Sequence, residues 1–375
     1  MPKNNFNYYL FFTVISLTVF GVLFLSTLSA PASFRVFGVT NYYFFHQLAA
    51  IAVGLILGAV AFKTPLHILK KWAPILIFIN LALLIAVFIP GIGSKFWGAK
   101  RWINIGIITL QPSELLKITT ILYVSAWLSN KSLGNSKKDR AFSIKKGYYE
   151  LIHIFVPFAI FLIAISAIMV FQKDITTLGI INLTLLSIYF SAKTPFWHTL
   201  LIIAGGIGTL LFFIKLEPYR MARLTTFFHP ETDPLGKGLQ IKQSLIALGS
   251  GGFFGKGLGM SSQKFGFLPQ SMSDSIFAIL GEETGILGCI ILIIIFLFFL
   301  YLGLKIARSS TDKFSKLTAI GITSWIMIQT FISIGSAAGV IPLGGIPLPF
   351  FSYGGSHIFV ELTSMGILLN ISKNT

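Results

Sequence analysis

Apolar runs of roughly 20 residues recur along the whole chain, the length a helix needs to cross a hydrocarbon core of about 30 Å. Ten such spans can be placed, at about 9–30, 44–62, 73–90, 111–128, 151–170, 176–191, 196–214, 277–307, 317–338 and 352–371. A large soluble core would require helices with polar faces, and most of these runs have none. Only 11% of the 375 residues are charged, against about 25% in soluble domains. The expected architecture is an all-α polytopic membrane protein of about ten transmembrane helices. It reads as one domain over 1–375, with a long loop, 215–275, between helices seven and eight.

An even number of spans puts both termini on one side. The 215–275 loop holds seven Lys and Arg residues, but loops of that length weigh little in the positive-inside rule. With it set aside, most loop cations fall on the N-terminal side, so both ends are expected in the cytoplasm and the long loop outside. The cluster from Lys131 to Lys146 then faces anionic headgroups. The net charge of +17 is spread among loops rather than gathered on one stripe, which argues against a nucleic-acid partner. The single cysteine, Cys289, excludes an intramolecular disulfide and a cysteine metal cluster. An Ala-Pro-Ala triplet at 30–32 resembles a cleavage site, yet the run before it is too long for a signal peptide, so the first segment is read as a retained helix.

Few residues are placed to carry chemistry. Helix four opens QPSELLKI, with Pro112 suited to the first turn and Glu114 to the positive end of the helix dipole. Lys117, three residues on, shares its face, and a lone mid-membrane lysine costs about 2.5–3.5 kcal/mol, so a Glu114–Lys117 pair is expected, lining a site or purely structural. Before it, KFWGAKRWINIG sets Arg101 beside Trp102 in an outer loop, where the tryptophan is an interfacial anchor or the arginine grips a phosphate. Asp174 reads as a helix N-cap. KGLQIKQSLIAL (237–248) reads as an amphipathic helix with Leu239, Leu245 and Ile246 toward lipid. The run GSGGFFGKGLG (249–259) misses the phosphate-loop pattern, because Gly257 follows the lysine, and reads as a flexible hinge. Asp274 opens helix eight, as a cap or as a reactive acid. That helix would be about 50 Å long, so its first turns, with Glu282 and Glu283, stand at or beyond the outer interface. The six histidines are scattered with no zinc spacing.

Four stretches, taken in order, resemble the SEDS family of integral membrane proteins, which includes FtsW, RodA and SpoVE. They are GAKRWINIGIITLQPSELLKI, HPETDPLGKGLQIKQSLIALGSGGFFGKGLGMSSQKFGFLP, DSIFAILGEETGILG and IPLGGIPLPFFSYGGS. Departures from the usual pattern stand at Lys173, Gln270, Met272, Ser273, Ser275, Ser333 and His357. The resemblance implies a peptidoglycan glycosyltransferase that polymerises lipid II in division or elongation, in the bacterial cytoplasmic membrane, with Asp274 as the essential acid. A class B penicillin-binding protein is the implied partner. A sugar hydroxyl is a poor nucleophile and needs a base, while the leaving diphosphate needs cations. Arg101, Trp102, Glu114, Lys117, Arg220, Arg223, Lys256 and Lys264 are the candidate substrate-binding residues, and a divalent cation, Mg2+ or Mn2+, is an alternative source of charge. Two other readings are a lipid II flippase, drawing on the intramembrane Glu114–Lys117 pair, and a scaffold that has lost catalysis.

Overall fold

The computed structural model describes residues 6–96, 99–105, 108–131, 148–216 and 218–374; the side chains of 95–99, 105–108, 207 and 210–220 lie outside that description. The Lys131 to Lys146 cluster falls mostly outside it. The long helices are α1 (Tyr8–Phe37), α2 (Tyr42–Lys63), α3 (Leu66–Ala86), α4 (Pro112–Ser129), α5 (Tyr148–Phe171), α6 (Ile175–Ser191) and α7 (Phe196–Leu216). After α8 (Pro218–Phe228) and α9 (Lys237–Ser250) come α10 (Ile276–Ser309), α11 (Lys313–Ala337) and α12 (Gly355–Lys373). Each expected span has its helix, and among the described residues six of them, α1 to α3, α5, α10 and α11, are long and apolar enough to cross a membrane. The chain is an all-α polytopic membrane protein.

Local chemistry sets several of these ends. The Oδ1 of Asn7 accepts from the N–H of Leu10 at 3.0 Å and starts α1, which ends at Gly38 in the left-handed region (φ 71°). Helix α3 begins directly after Pro65, seven residues before the expected boundary at 73. Its first turns carry His67, Lys70 and Lys71, which diluted the apolar signal without breaking the helix. The stretch around Arg101, expected as an outer loop, is instead an antiparallel sheet of β1 (Gly93–Phe96), β2 (Ala99–Ile105) and β3 (Ile108–Leu110). Strands this short carry too few alternations to be read from sequence.

The chain divides into two compact units. The first comprises residues 1–64, 214–309 and 326–375. In it α2 and α12 run against each other with glycine at the contact: a Cβ on Gly366 would strike the carbonyl of Gly58. Small residues let helix backbones approach, which is the main source of packing where lipid offers no hydrophobic drive. Asn370 donates to the carbonyls of Ala61 at 3.0 Å and Thr64 at 2.6 Å. The second unit comprises 65–213 and 310–325. There Asn80 of α3 donates to Thr119 of α4 at 2.9 Å, and Gln172 donates to the carbonyl of Leu84 at 3.0 Å.

Candidate active site

In the first unit, the turn 270–275 leads into α10. Gln270 takes a left-handed conformation (φ 52°), and its carbonyl accepts from Ser273 at 3.1 Å and Ser275 at 3.2 Å. Ser275, not Asp274, stands directly before the helix, and its carbonyl accepts from the N–H of Ile279. The Asp274 carboxylate is thereby released from capping. Its Oδ1 accepts from the hydroxyl of Ser273 at 2.6 Å, and Gln240 of α9 also bonds it. Gln240 further donates to Ser275 at 3.0 Å. Asp274 is half-buried. Burial pushes its carboxyl above the ordinary aspartate value, while Ser273, its own main chain, Gln240 and the charge of Arg223 on α8 pull the other way.

The loop between α11 and α12 braces this turn. Ser352 donates to the carbonyl of Ser273 at 2.7 Å, and the N–H of Tyr353 donates to the carbonyl of Met272 at 2.9 Å. The loop is itself held by the buried Glu361 of α12, which accepts from the N–H of Phe350 at 2.8 Å. Gln47 grips its end, accepting from the N–H of Gly354 at 3.0 Å. Gly345, at φ 66°, passes so close that a Cβ there would lie 3.6 Å from Oδ2 of Asp274. Gln240, Ser352 and Gly345 were not singled out from the sequence. The motif IPLGGIPLPFFSYGGS marked the loop, but nothing in it named Asp274 as its neighbour.

The other candidate cations differ in their surroundings. Lys256 donates to Oε1 of Glu282 at 2.7 Å, and Nζ of Lys264 lies 4.0 Å from Oε1 of Glu283. Both glutamates are fully buried and accept further bonds from the loop: Ser262 Oγ to Glu282 at 2.9 Å, and the N–H of Gly259 to Glu283 at 2.8 Å. The glycine run 249–259 is therefore no flexible hinge. Helix α10 is broken at Gly285 (φ 68°, ψ −167°), and a Cβ there or on Gly255 would strike the opposing main chain. These glycines are places of close approach. Arg220 lies in α8, and its side chain is outside the described residues.

In the second unit, Glu114 and Lys117 form the expected pair at 2.9 Å, both buried, with the ammonium 5.4 Å from the Trp325 ring centre. Arg101 holds the turn between α5 and α6, with Nε donating to the carbonyl of Gln172 at 3.2 Å and Nη2 to that of Lys173. Trp102 sits on β2 opposite Ser94. Asp174 occupies the position before α6, but its side chain does not cap that helix. It accepts instead from Ser113 at 3.2 Å and Gln111 at 3.4 Å, at the start of α4.

Among relatives, a probable peptidoglycan glycosyltransferase FtsW of Coxiella burnetii is 35% identical over 365 residues, 96% of this chain and 94% of that one. Stage V sporulation protein E of Bacillus subtilis is 34% identical over 366 residues, 97% and 96% of the two chains. Among solved structures, a chain from a study of how a peptidoglycan synthase complex coordinates polymerization and crosslinking superposes with TM-score 0.78 at 21% identity, over 98% of both chains. The rod shape determining protein RodA of Thermus thermophilus superposes with TM-score 0.67 at 20% identity, over 98% and 97%. These two share the fold. The sequence profile for cell cycle proteins of the FtsW, RodA and SpoVE type matches residues 8–375, and the chain belongs to that family.

Proposed function

We propose that this protein is a peptidoglycan glycosyltransferase that polymerises lipid II into glycan strands at the outer face of the bacterial cytoplasmic membrane. The observation that carries the reading is the Asp274 carboxylate. It is freed from helix capping, oriented by Ser273 and Gln240, and faces the charge of Arg223. Relatives of this length and identity bear the same activity in their names. Asp274 acts as the general base: it takes the proton of the acceptor's sugar hydroxyl as that oxygen attacks C1 of the donor sugar and the lipid diphosphate leaves. Its raised pKa suits a base better than an ordinary surface carboxylate would, since proton affinity grows with pKa. Arg223 is the described cation best placed to meet the departing diphosphate, with Arg220 on the same helix.

Among the described residues no group of three His, Cys, Asp or Glu side chains converges to hold a metal ion. A divalent cation, Mg2+ or Mn2+, bound with the substrate would supply positive charge to the leaving diphosphate. Both termini lie in the cytoplasm by the distribution of loop cations. The partner is a class B penicillin-binding protein; a fold relative comes from work on a peptidoglycan synthase complex that couples polymerization to crosslinking. Arg101, Trp102, Glu114 and Lys117 contribute to substrate binding as a separate proposal, since they belong to the second unit.

Purified protein given labelled lipid II, with and without the partner and a divalent metal, should make glycan strands, and Asp274→Asn should make none while remaining folded. Full activity in that variant would remove Asp274 from the reaction. The buried Glu114–Lys117 pair favours a second reading, a lipid II flippase. Flipping in sealed vesicles that survives Asp274→Asn, with no polymer formed by either protein, would select it.

A further inference from the structure

The segment after α9 turns large apolar side chains outward: Phe253 is 59% exposed, Phe254 77%, Leu258 75% and Met260 70%. In a water-facing loop this would be a costly surface. The same segment is bonded through its main chain to one level of α10. The N–H groups of Lys256 and Gly257 donate to the carbonyls of Glu282 and Glu283, each at 3.0 Å. In return, Ile286 and Leu287 donate to the carbonyls of Gly252 and Phe253, at 3.0 and 3.3 Å. The loop thus has a fixed height on a membrane helix.

That height follows from α10 itself. Up to Glu283 the helix is enclosed by protein; from Ile286 onward it exposes Ile286, Leu287, Ile290, Ile291, Ile294 and Leu297. Lys305, exposed near its far end, marks one interface. A core of about 30 Å takes about 20 helical residues, which brings the other interface to Gly285, where the helix breaks. Phe253 is bonded to Leu287 at that level, and its side chain and that of Phe254 are exposed there beside the first exposed apolar residues of α10. The one cation between them and Leu258, Lys256, is neutralised by Glu282, which lowers the cost of placing it near hydrocarbon.

We propose that residues 252–260 are a lipid-embedded apron: Phe253 and Phe254 insert among the acyl chains of the leaflet on the Asp274 side, and the bilayer is the partner of this loop. The inference needs the membrane fold but not the reaction, so either can fail alone. Cys289 is the only cysteine, and replacing it by serine permits single spin labels at Phe254→Cys, with Ile294→Cys as the lipid reference and Thr311→Cys as the water reference. In lipid nanodiscs, collision with oxygen should exceed collision with a nickel chelate at 254, as at 294. The label should read about 5–10 Å below the phosphate level. Chelate access at 254 equal to that at 311 would overturn the proposal. So would shielding from both collision partners, which would mean that a second copy covers the loop. Phe253→Cys repeats the measurement in case the first label is poorly tolerated.

Discussion

The hydroxyl of Ser273 donates to Oδ1 of Asp274 across 2.6 Å, while the carbonyl of the same serine accepts from Ser352, 79 residues further along the chain. One residue therefore aims the carboxylate and fixes its height against the neighbouring loop. A hydrogen bond to the ionised form holds a carboxyl pKa down. Ser273→Ala should move the acidic limb of the kcat/KM profile to higher pH, with most activity retained at alkaline pH. Ser273→Thr should keep the wild-type profile. A pH profile unchanged in Ser273→Ala would deny the serine this role.

Asp274→Asn should lower polymerisation by at least about 10²-fold, the smaller end of what a general base contributes. The folded-state pKa of Asp274 is raised by burial. The stability linked to its proton is thus complete below the unfolded pKa and is lost as pH rises through the folded one. At neutral pH the asparagine variant should melt no lower than the parent, and any advantage should fade as the pH falls. Thermal unfolding across pH 4 to 8 checks the sign.

Lys117→Met leaves Glu114 buried without its partner, and breaking a buried pair in this way costs about 3–5 kcal/mol. The double change Glu114→Gln with Lys117→Met should recover much of that loss. A double-mutant cycle by thermal unfolding in detergent separates a structural pair from one kept for the reaction: recovery of stability without recovery of activity indicates the latter.

Glu282→Gln removes the charge that gathers Lys256, Ser261 and Ser262 onto α10. Charge-assisted bonds are worth about 1.5–3 kcal/mol each, so the loop 251–265 should become the first site of proteolysis. Gly285→Ala should act on the same loop from the other side. Its conformation at φ 68° and ψ −167° is nearly reserved to glycine, and forcing alanine there costs about 1–3 kcal/mol, besides the clash with Phe253. Limited proteolysis of the folded protein distinguishes loop release from global unfolding.

The helices were legible because spanning a bilayer forces a long uninterrupted apolar run, and the Glu114–Lys117 contact because three residues is a helical neighbour distance. The helix over 237–248 was legible from its period; Leu245 and Ile246 are exposed as expected, while Leu239 is half-buried. Asp174 was harder. Its place before a helix suggested a cap, yet Ser113 and Gln111, some 60 residues earlier, claim its carboxylate. The glycine run was misread as a hinge for a related reason. Glycine is needed both where a chain flexes and where another backbone passes closely, and only the main chain of α10 lying against the run tells them apart.

The amino-acid sequence by itself determined a membrane protein of about ten helices, the family it resembles, and an acid at the entry to the eighth. These rest on local length, periodicity and motif order, which need no knowledge of distant contacts. The tertiary structure decided what surrounds that acid. Gln240 bonds Asp274, Gly345 passes close to its carboxylate and Ser352 holds the Ser273 carbonyl beside it, while Lys256 and Lys264 are drawn to Glu282 and Glu283. Charge and hydrogen bonding act over a few ångströms in space, and separation along the chain does not reveal which groups folding brings that close.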